Sequence, residues 1–185
     1  MKKYISMMLL ALSFGFISCD VETNEDAGGT SVENVAGHWT VTFYQSAETM
    51  DLTTKTSAQL DALTNWEQAS NKVSIYTYNT AENLNNVMWF SDYPAKISDY
   101  SFWQYKIKVN VNYAAKTFSC DTISNTSYDG CNITVVGGKI LPGAAITPRG
   151  AKADSIVAYV QFSDDKKPYV YKMSGYRYTG FSADN

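Results

Sequence analysis

The stretch FWQYKIKVNVNY, residues 102 to 113, most constrains what this chain can fold into. Trp103, Tyr105, Ile107, Val109 and Val111 alternate with Gln104, Lys106, Lys108 and Asn110. Successive side chains of an extended strand point to opposite faces, so this pattern describes a strand with one buried face and one wet face. The pattern recurs along the chain. In GHWTVTFYQ, Trp39, Val41 and Phe43 share one face, and His38, Thr40, Thr42 and Tyr44 share the other. KVSIYTYNT sets Val73 and Ile75 against Tyr76 and Tyr78, and NVMWFSDY is a short apolar run. KTFSC and CNITVV follow, then Gly137-Gly138, a pair typical of a hairpin turn. ADSIVAYVQF aligns Ile156, Ala158, Val160 and Phe162. SDDKKP turns the chain, and PYVYKMSGYRYTGF places Tyr169, Tyr171, Met173 and Arg177 on one face.

About eight strands joined mostly by short turns make an all-β antiparallel meander over residues 35–185. Closing it into a barrel removes exposed sheet edges. The chain's 14 tyrosines suit a pleated, half-buried surface, and 45% hydrophobic residues supply a core for one domain. SAQLDALTNWEQAS breaks the pattern: Leu60, Leu63 and Trp66 fall at helical spacing, with Ala62 and Ala69 nearby. This is read as one short amphipathic helix inserted after the first strand. It either caps a barrel end or covers a ligand mouth.

The N-terminus reads as an address. Lys2 and Lys3 precede the apolar run ISMMLLALSFGFI, which is too short to span a bilayer comfortably. FISC then ends at Cys19, in the manner of a bacterial lipobox. Residues 1–18 are therefore expected to be a lipoprotein signal peptide, with acyl chains on Cys19 as the membrane anchor. Residues 19–34, beginning with the acidic CDVETNEDAGGTS, bury too little to fold and read as a flexible tether. The expected location is the cell envelope, as an outer-membrane lipoprotein that is periplasmic or surface-exposed. The formal charge is -3, with no basic run interleaved with aromatics, which excludes nucleic acid as a partner.

Catalytic chemistry finds little support. His38 is the only histidine, and no Gly-x-Ser-x-Gly elbow is present. Ser155 and Ser174 fall inside strands, and Asp154 beside Ser155 does not activate a serine alone. One histidine and two cysteines without close ligand spacing make no zinc set, and no glycine loop cradles phosphate. No catalytic residue, metal or cofactor is expected. Cys120 and Cys131 flank DTISNTSYDG; they are either joined across a hairpin or two separate thiols. The candidate interior face comprises Trp39, Val41, Phe43, Val73, Ile75, Ile107, Val109, Ile156, Val160 and Tyr171. A barrel of this size either fills with side chains or holds one small apolar ligand. On the outside, Tyr76, Tyr78, Tyr176 and Tyr178 are candidate stacking platforms for a glycan.

Several stretches carry a family resemblance together: GHWTV, TYNTA at 77–81, FWQYKIKVNVNYAAKTF at 102–118, GGKI at 137–140, ADSIVAYVQF at 153–162 and SGYRYTGF at 174–181. They resemble the Bacteroidetes lipoprotein family named "lipid-binding putative hydrolase" from about Val35 onward, interrupted over 47–72. The resemblance implies a calycin-like or lipocalin-like barrel on a lipid anchor that binds a lipid or other hydrophobic small molecule. The alternatives are a glycan-binding surface lipoprotein, a lipid or ester hydrolase, and a filled structural module. Lipocalins open their first strand with Gly-x-Trp and stack an arginine from the last strand on that tryptophan. The comparison assigns Gly37 a tight entry into the strand, Trp39 the closed end of the barrel and Arg177 the cover over its indole.

Overall fold

In the computed structural model, described over residues 29–92 and 101–181, nine antiparallel strands form one sheet. They are β1 (Gly37–Ser46), β2 (Trp66–Gln68), β3 (Val73–Asn79), β4 (Val87–Ser91), β5 (Lys106–Asn112), β6 (Thr117–Ser124), β7 (Asn132–Ile146), β8 (Lys152–Phe162) and β9 (Tyr171–Arg177). From β3 to β9 each strand pairs with the next, and β9 returns to β1 from Trp39↔Arg177 to Gln45↔Tyr171. The seam closes an eight-stranded barrel. β3 pairs with β1 only as far as Val41, and β2 takes the next stretch through Tyr44↔Gln68 and Ser46↔Trp66. The ninth strand thus satisfies backbone groups that β3 leaves uncovered. Residues 1–28, with Cys19 and most of the expected tether, lie outside the described residues.

The alternation read in the sequence sorts inside from outside. Trp39, Val41, Phe43, Ile75, Ile107, Val109, Ile156 and Val160 all fall in one buried cluster, together with Met88, Phe90, Phe118, Ile133 and Met173. The barrel has two distinct ends. The chain enters β1 at one, beside the β3–β4 and β5–β6 turns, the β7–β8 hairpin tip and the end of β9. The opposite end carries the β4–β5, β6–β7 and β8–β9 connections.

Three local readings change. Helix forms only over α1 (Ser57–Asp61), preceded by a 3-10 turn at Leu52–Thr54. A capping box between Thr56 and Gln59 starts α1, and Ala62 ends it. Trp66, expected on the helix, lies in β2, because β1 offers it an open edge. The insert neither caps an end nor covers a mouth. Leu52, Leu60 and Val170 pack with Tyr159, whose neighbours Ala158 and Val160 face the interior, so the insert lies on the outer wall.

Gly137-Gly138 is not a hairpin turn but a bulge inside β7, where the pairing with β8 shifts between Val136 and Lys139. Gly137 has φ +63°, and a Cβ there would meet Cβ of Ser57 at 2.8 Å. The turn falls instead at residues 147–151. The strand expected from Phe102 begins only at Lys106. Of the two alternatives open for Cys120 and Cys131, the structure shows separate thiols. Cys120 pairs with Val135, four residues along from Cys131. At about 3.3 Å per residue that offset is roughly 13 Å, well beyond the roughly 7 Å limit for a disulfide.

Candidate functional site

The end of the barrel where the chain enters is shut by a short network. Trp39 is fully buried, and its Nε1–H donates to Thr77 Oγ1 at 2.9 Å. The Thr77 hydroxyl donates in turn to the Val35 carbonyl at 2.7 Å. Arg177 lies over the Trp39 ring, with its guanidinium carbon 4.4 Å from the centroid. Its Nη1 donates to the Ala36 carbonyl at 2.7 Å, and its Nε pairs with Asp154 at 3.2 Å. A Cβ at Gly37 would collide with that guanidinium. Gly37, Trp39 and Arg177 are therefore brought together by the β1–β9 seam and by a glycine that leaves room for the arginine.

The opposite end is closed differently. Phe102 and Trp103 come from the β4–β5 connection, not from a strand, yet their rings enter the barrel. Phe102 stacks on Phe43 with centroids 4.3 Å apart, and Trp103 stacks on Phe162 at 4.4 Å. Both also meet Tyr171. Asp92 holds them there. Its Oδ2 accepts from the backbone N–H of Phe102 and of Trp103, each at 2.9 Å. Its own carbonyl accepts from Ser101 Oγ, and Gln104 turns the chain at φ +54° before β5 begins. The strand starts late because these N–H groups are already bonded to a carboxylate.

Asp92 is 1% exposed. Burial raises its pKa from 3.8 to about 7, against the opposing pull of the Trp103, Phe102 and Ser101 hydrogen bonds. Its Oδ1 and the hydroxyl of buried Tyr105 have no hydrogen-bond partner among the described residues. Around the rim, Trp103 Nε1–H donates to Asp164 at 3.0 Å and the Tyr128 hydroxyl donates to the same carboxylate at 2.7 Å. Burial disfavours the Asp164 carboxylate, but bonds from Cys131, Tyr128 and Trp103 outweigh it and hold its pKa below the ordinary value. The Tyr171 hydroxyl donates to Asp165 at 2.7 Å. An apolar interior with a few polar groups at its mouth is the usual build of a small-molecule site.

All nine candidate lining residues, Val41, Phe43, Val73, Ile75, Ile107, Val109, Ile156, Val160 and Tyr171, lie in this interior cluster, and none is more than 4% exposed. The interior around them is packed by side chains, the mouth end by Phe102 and Trp103. The alternation flagged Trp103 as inward-facing. It gave no signal for Asp92, whose burial depends on a connection folding back over it.

His38 lies on the outer wall. Its ring is sandwiched between Tyr76 and Tyr178, with centroids 4.6 and 4.2 Å away, and Nε2 is 2.9 Å from Ser74 Oγ. Burial lowers its pKa. The glycan platform loses ground for the same reason. Tyr76 and Tyr178 each give a ring face to His38, while Lys106 and Lys108 sit over Trp89 and Lys106 also approaches Tyr78. Tyr176 carries Lys72. Stacking on a sugar requires free faces, and here many faces are already occupied.

A cleft of about 460 Å³ on the outer wall, between α1 and β5–β7, is lined by Ser57, Asn110, Asn112, Thr117, Ser119 and Lys139 among others. Lys139 is engaged by Asp61 at 2.9 Å, and Asp61 also accepts from the Tyr159 hydroxyl. Among the described residues, no group of three or more His, Cys, Asp or Glu side chains is arranged to hold a metal ion.

An apolar interior, one end locked by a Trp–Arg stack and the other filled by loop aromatics, defines a small, closed eight-stranded antiparallel β-barrel with one extra strand. The chain belongs to the family described as "lipid-binding putative hydrolase", whose model matches residues 24–182. No curated protein matches the chain.

Proposed function

We propose that this protein is a lipid-anchored envelope protein that takes a lipid or another apolar small molecule into its barrel through the Phe102–Trp103 end. The observation that carries the reading is the nature of that closure. Strand residues wall the barrel, but two rings delivered by a non-strand connection fill its mouth. Side chains on a connection can be withdrawn without breaking the ladder, because local opening draws on the least stable segments. An acyl chain entering here meets Phe43, Phe162 and Tyr171 in place of the two rings. The Asp92 Oδ1 and the Tyr105 hydroxyl, without a hydrogen-bond partner among the described residues, offer hydrogen bonds to a polar head group.

The family description supports a lipid ligand. The lipobox-like FISC sequence supports the anchor and, with it, an outer-membrane location. Titration with a dansyl-labelled fatty acid tests the ligand: saturable binding is expected, several-fold tighter in the Phe102→Ala/Trp103→Ala variant, where the competing rings are gone. Absence of binding to both proteins would refute the reading. The anchor has a separate test. Cys19→Ala is expected to move the protein from the membrane fraction to the soluble fraction, and continued membrane association would exclude acylation at Cys19.

A further inference from the structure

We infer that the Trp39 end of the barrel is a membrane-docking surface that lies on a lipid bilayer, so that the Phe102–Trp103 mouth points away from it. This goes beyond the ligand reading, and it rests on the anchor reading alone.

The most exposed large apolar side chains gather at this end. Leu84 is 51% exposed, Ile146 65% and Phe181 70%. Leu84 sits in the β3–β4 turn, Ile146 at the β7–β8 hairpin tip and Phe181 just beyond β9. Around the barrel these three positions follow one another: the β7–β8 hairpin, the end of β9, the start of β1, then the β3–β4 turn. They occupy one continuous half of the rim. Arg149 and Lys152 flank Ile146 on the exposed hairpin tip. Apolar side chains ringed by cations are what an interfacial surface needs, since the apolar groups enter the head-group boundary and the cations stay at phosphate level. Glu33 and Glu82 face the same end, Glu82 lying 3.7 Å from Lys108, and the sequence that joins here before Gly29 is acidic, with Asp20, Glu22, Glu25 and Asp26. The attraction to anionic lipid is therefore concentrated at the hairpin.

The path of the chain selects a bilayer as the occupant. Residues 30–35 are bound across this same end. Val32 and Val35 are buried, the Ser31 N–H donates to Asn83 in the β3–β4 turn, and Asn34 donates to Tyr113 between β5 and β6. Anything preceding Gly29 therefore joins the domain at the Trp39 end. What precedes it in the sequence is an apolar run ending at Cys19, only ten residues from Gly29. A tether that short holds this end against whatever surface receives the apolar run or acyl chains.

Hydrogen exchange on the full chain reads the orientation directly. The protein is compared in vesicles of phosphatidylethanolamine and phosphatidylglycerol and in detergent micelles. Slower exchange in vesicles is expected at 80–86 and 147–151, with 163–170 unchanged. Ile146→Asp, at an exposed site where folding is not at stake, is expected to abolish the slowing at 147–151. Equal exchange at both ends, or slowing confined to 163–170, would overturn the proposal. So would slowing that disappears when the protein is diluted at constant lipid, because that behaviour belongs to contact between two copies.

Discussion

At the scale of single residues, Asp92 ties the mouth to pH. Its folded pKa of about 7 stands above its ordinary 3.8. An acid whose pKa is raised by folding contributes stability that is fully present below the ordinary value and lost as pH rises through the folded one. The wild type is therefore expected to lose stability relative to Asp92→Asn between about pH 4 and pH 7, on the order of 1.4 kcal/mol per unit. Asparagine keeps an oxygen for the Phe102 and Trp103 N–H groups, so the two proteins should match at the acid end. Urea unfolding of both across that range measures the difference; parallel curves would show that Asp92 ionises freely in the folded state. Residues differ sharply in how legible they are in the sequence. Trp39 and Arg177 could be named because a strand pattern and a family likeness both point at them. Asp92 sits in SDY after an apolar run and looks like any turn acid. Only the return of Phe102 and Trp103 over it makes it a buried carboxylate.

Among the elements, the strands with one apolar and one polar face were readable because a period of two leaves little ambiguity in a half-buried sheet. The bulge in β7 and the course of the insert were not. Gly137-Gly138 carries the signature of a turn, yet its chemistry serves equally for a bulge, and the choice is made by β8 pairing on both sides of it. Likewise Leu60, Leu63 and Trp66 fit a helix, but the uncovered edge of β1 claims Trp66 for a strand. The bulge gives a test at this scale. Gly137→Ala combines a left-handed φ with a close approach to Ser57, whereas Gly150→Ala, at φ +87°, meets nothing within 4 Å. Both should lose about 1–2 kcal/mol for the left-handed backbone, and Gly137→Ala should lose more. Equal losses in thermal or urea melts would show that α1 yields freely and does not press on the barrel wall.

Over the whole molecule, stability depends on a seam between the first and last barrel strands. Residues more than a hundred positions apart must meet there before the sheet closes, so the loop-closure cost falls before the seam's contacts form. Gly175 lies at its tightest point. A Cβ there would strike the Thr40 carbonyl and lie 2.6 Å from the Val41 Cα, both backbone atoms that a rotamer change cannot move. Gly175→Ala should therefore lower the denaturant midpoint of the entire barrel rather than loosen one strand, because an unclosed sheet exposes two edges together. The four tryptophans report on different parts: Trp39 on the locked end, Trp103 on the mouth, Trp66 on the insert and Trp89 on the outer wall. Single-tryptophan variants are expected to give midpoints for Trp39 and Trp89 that coincide with the circular dichroism transition and move together in Gly175→Ala. Trp103 is the informative exception, since its ring is held by one carboxylate's bonds to the connection and by Asp164. A signal from Trp103 that changes at lower urea than the rest would identify the mouth as the barrel's separately opening part. One that coincides with the others in both proteins would mean that the rings belong to the closed core, and that no ligand enters there without unfolding the barrel.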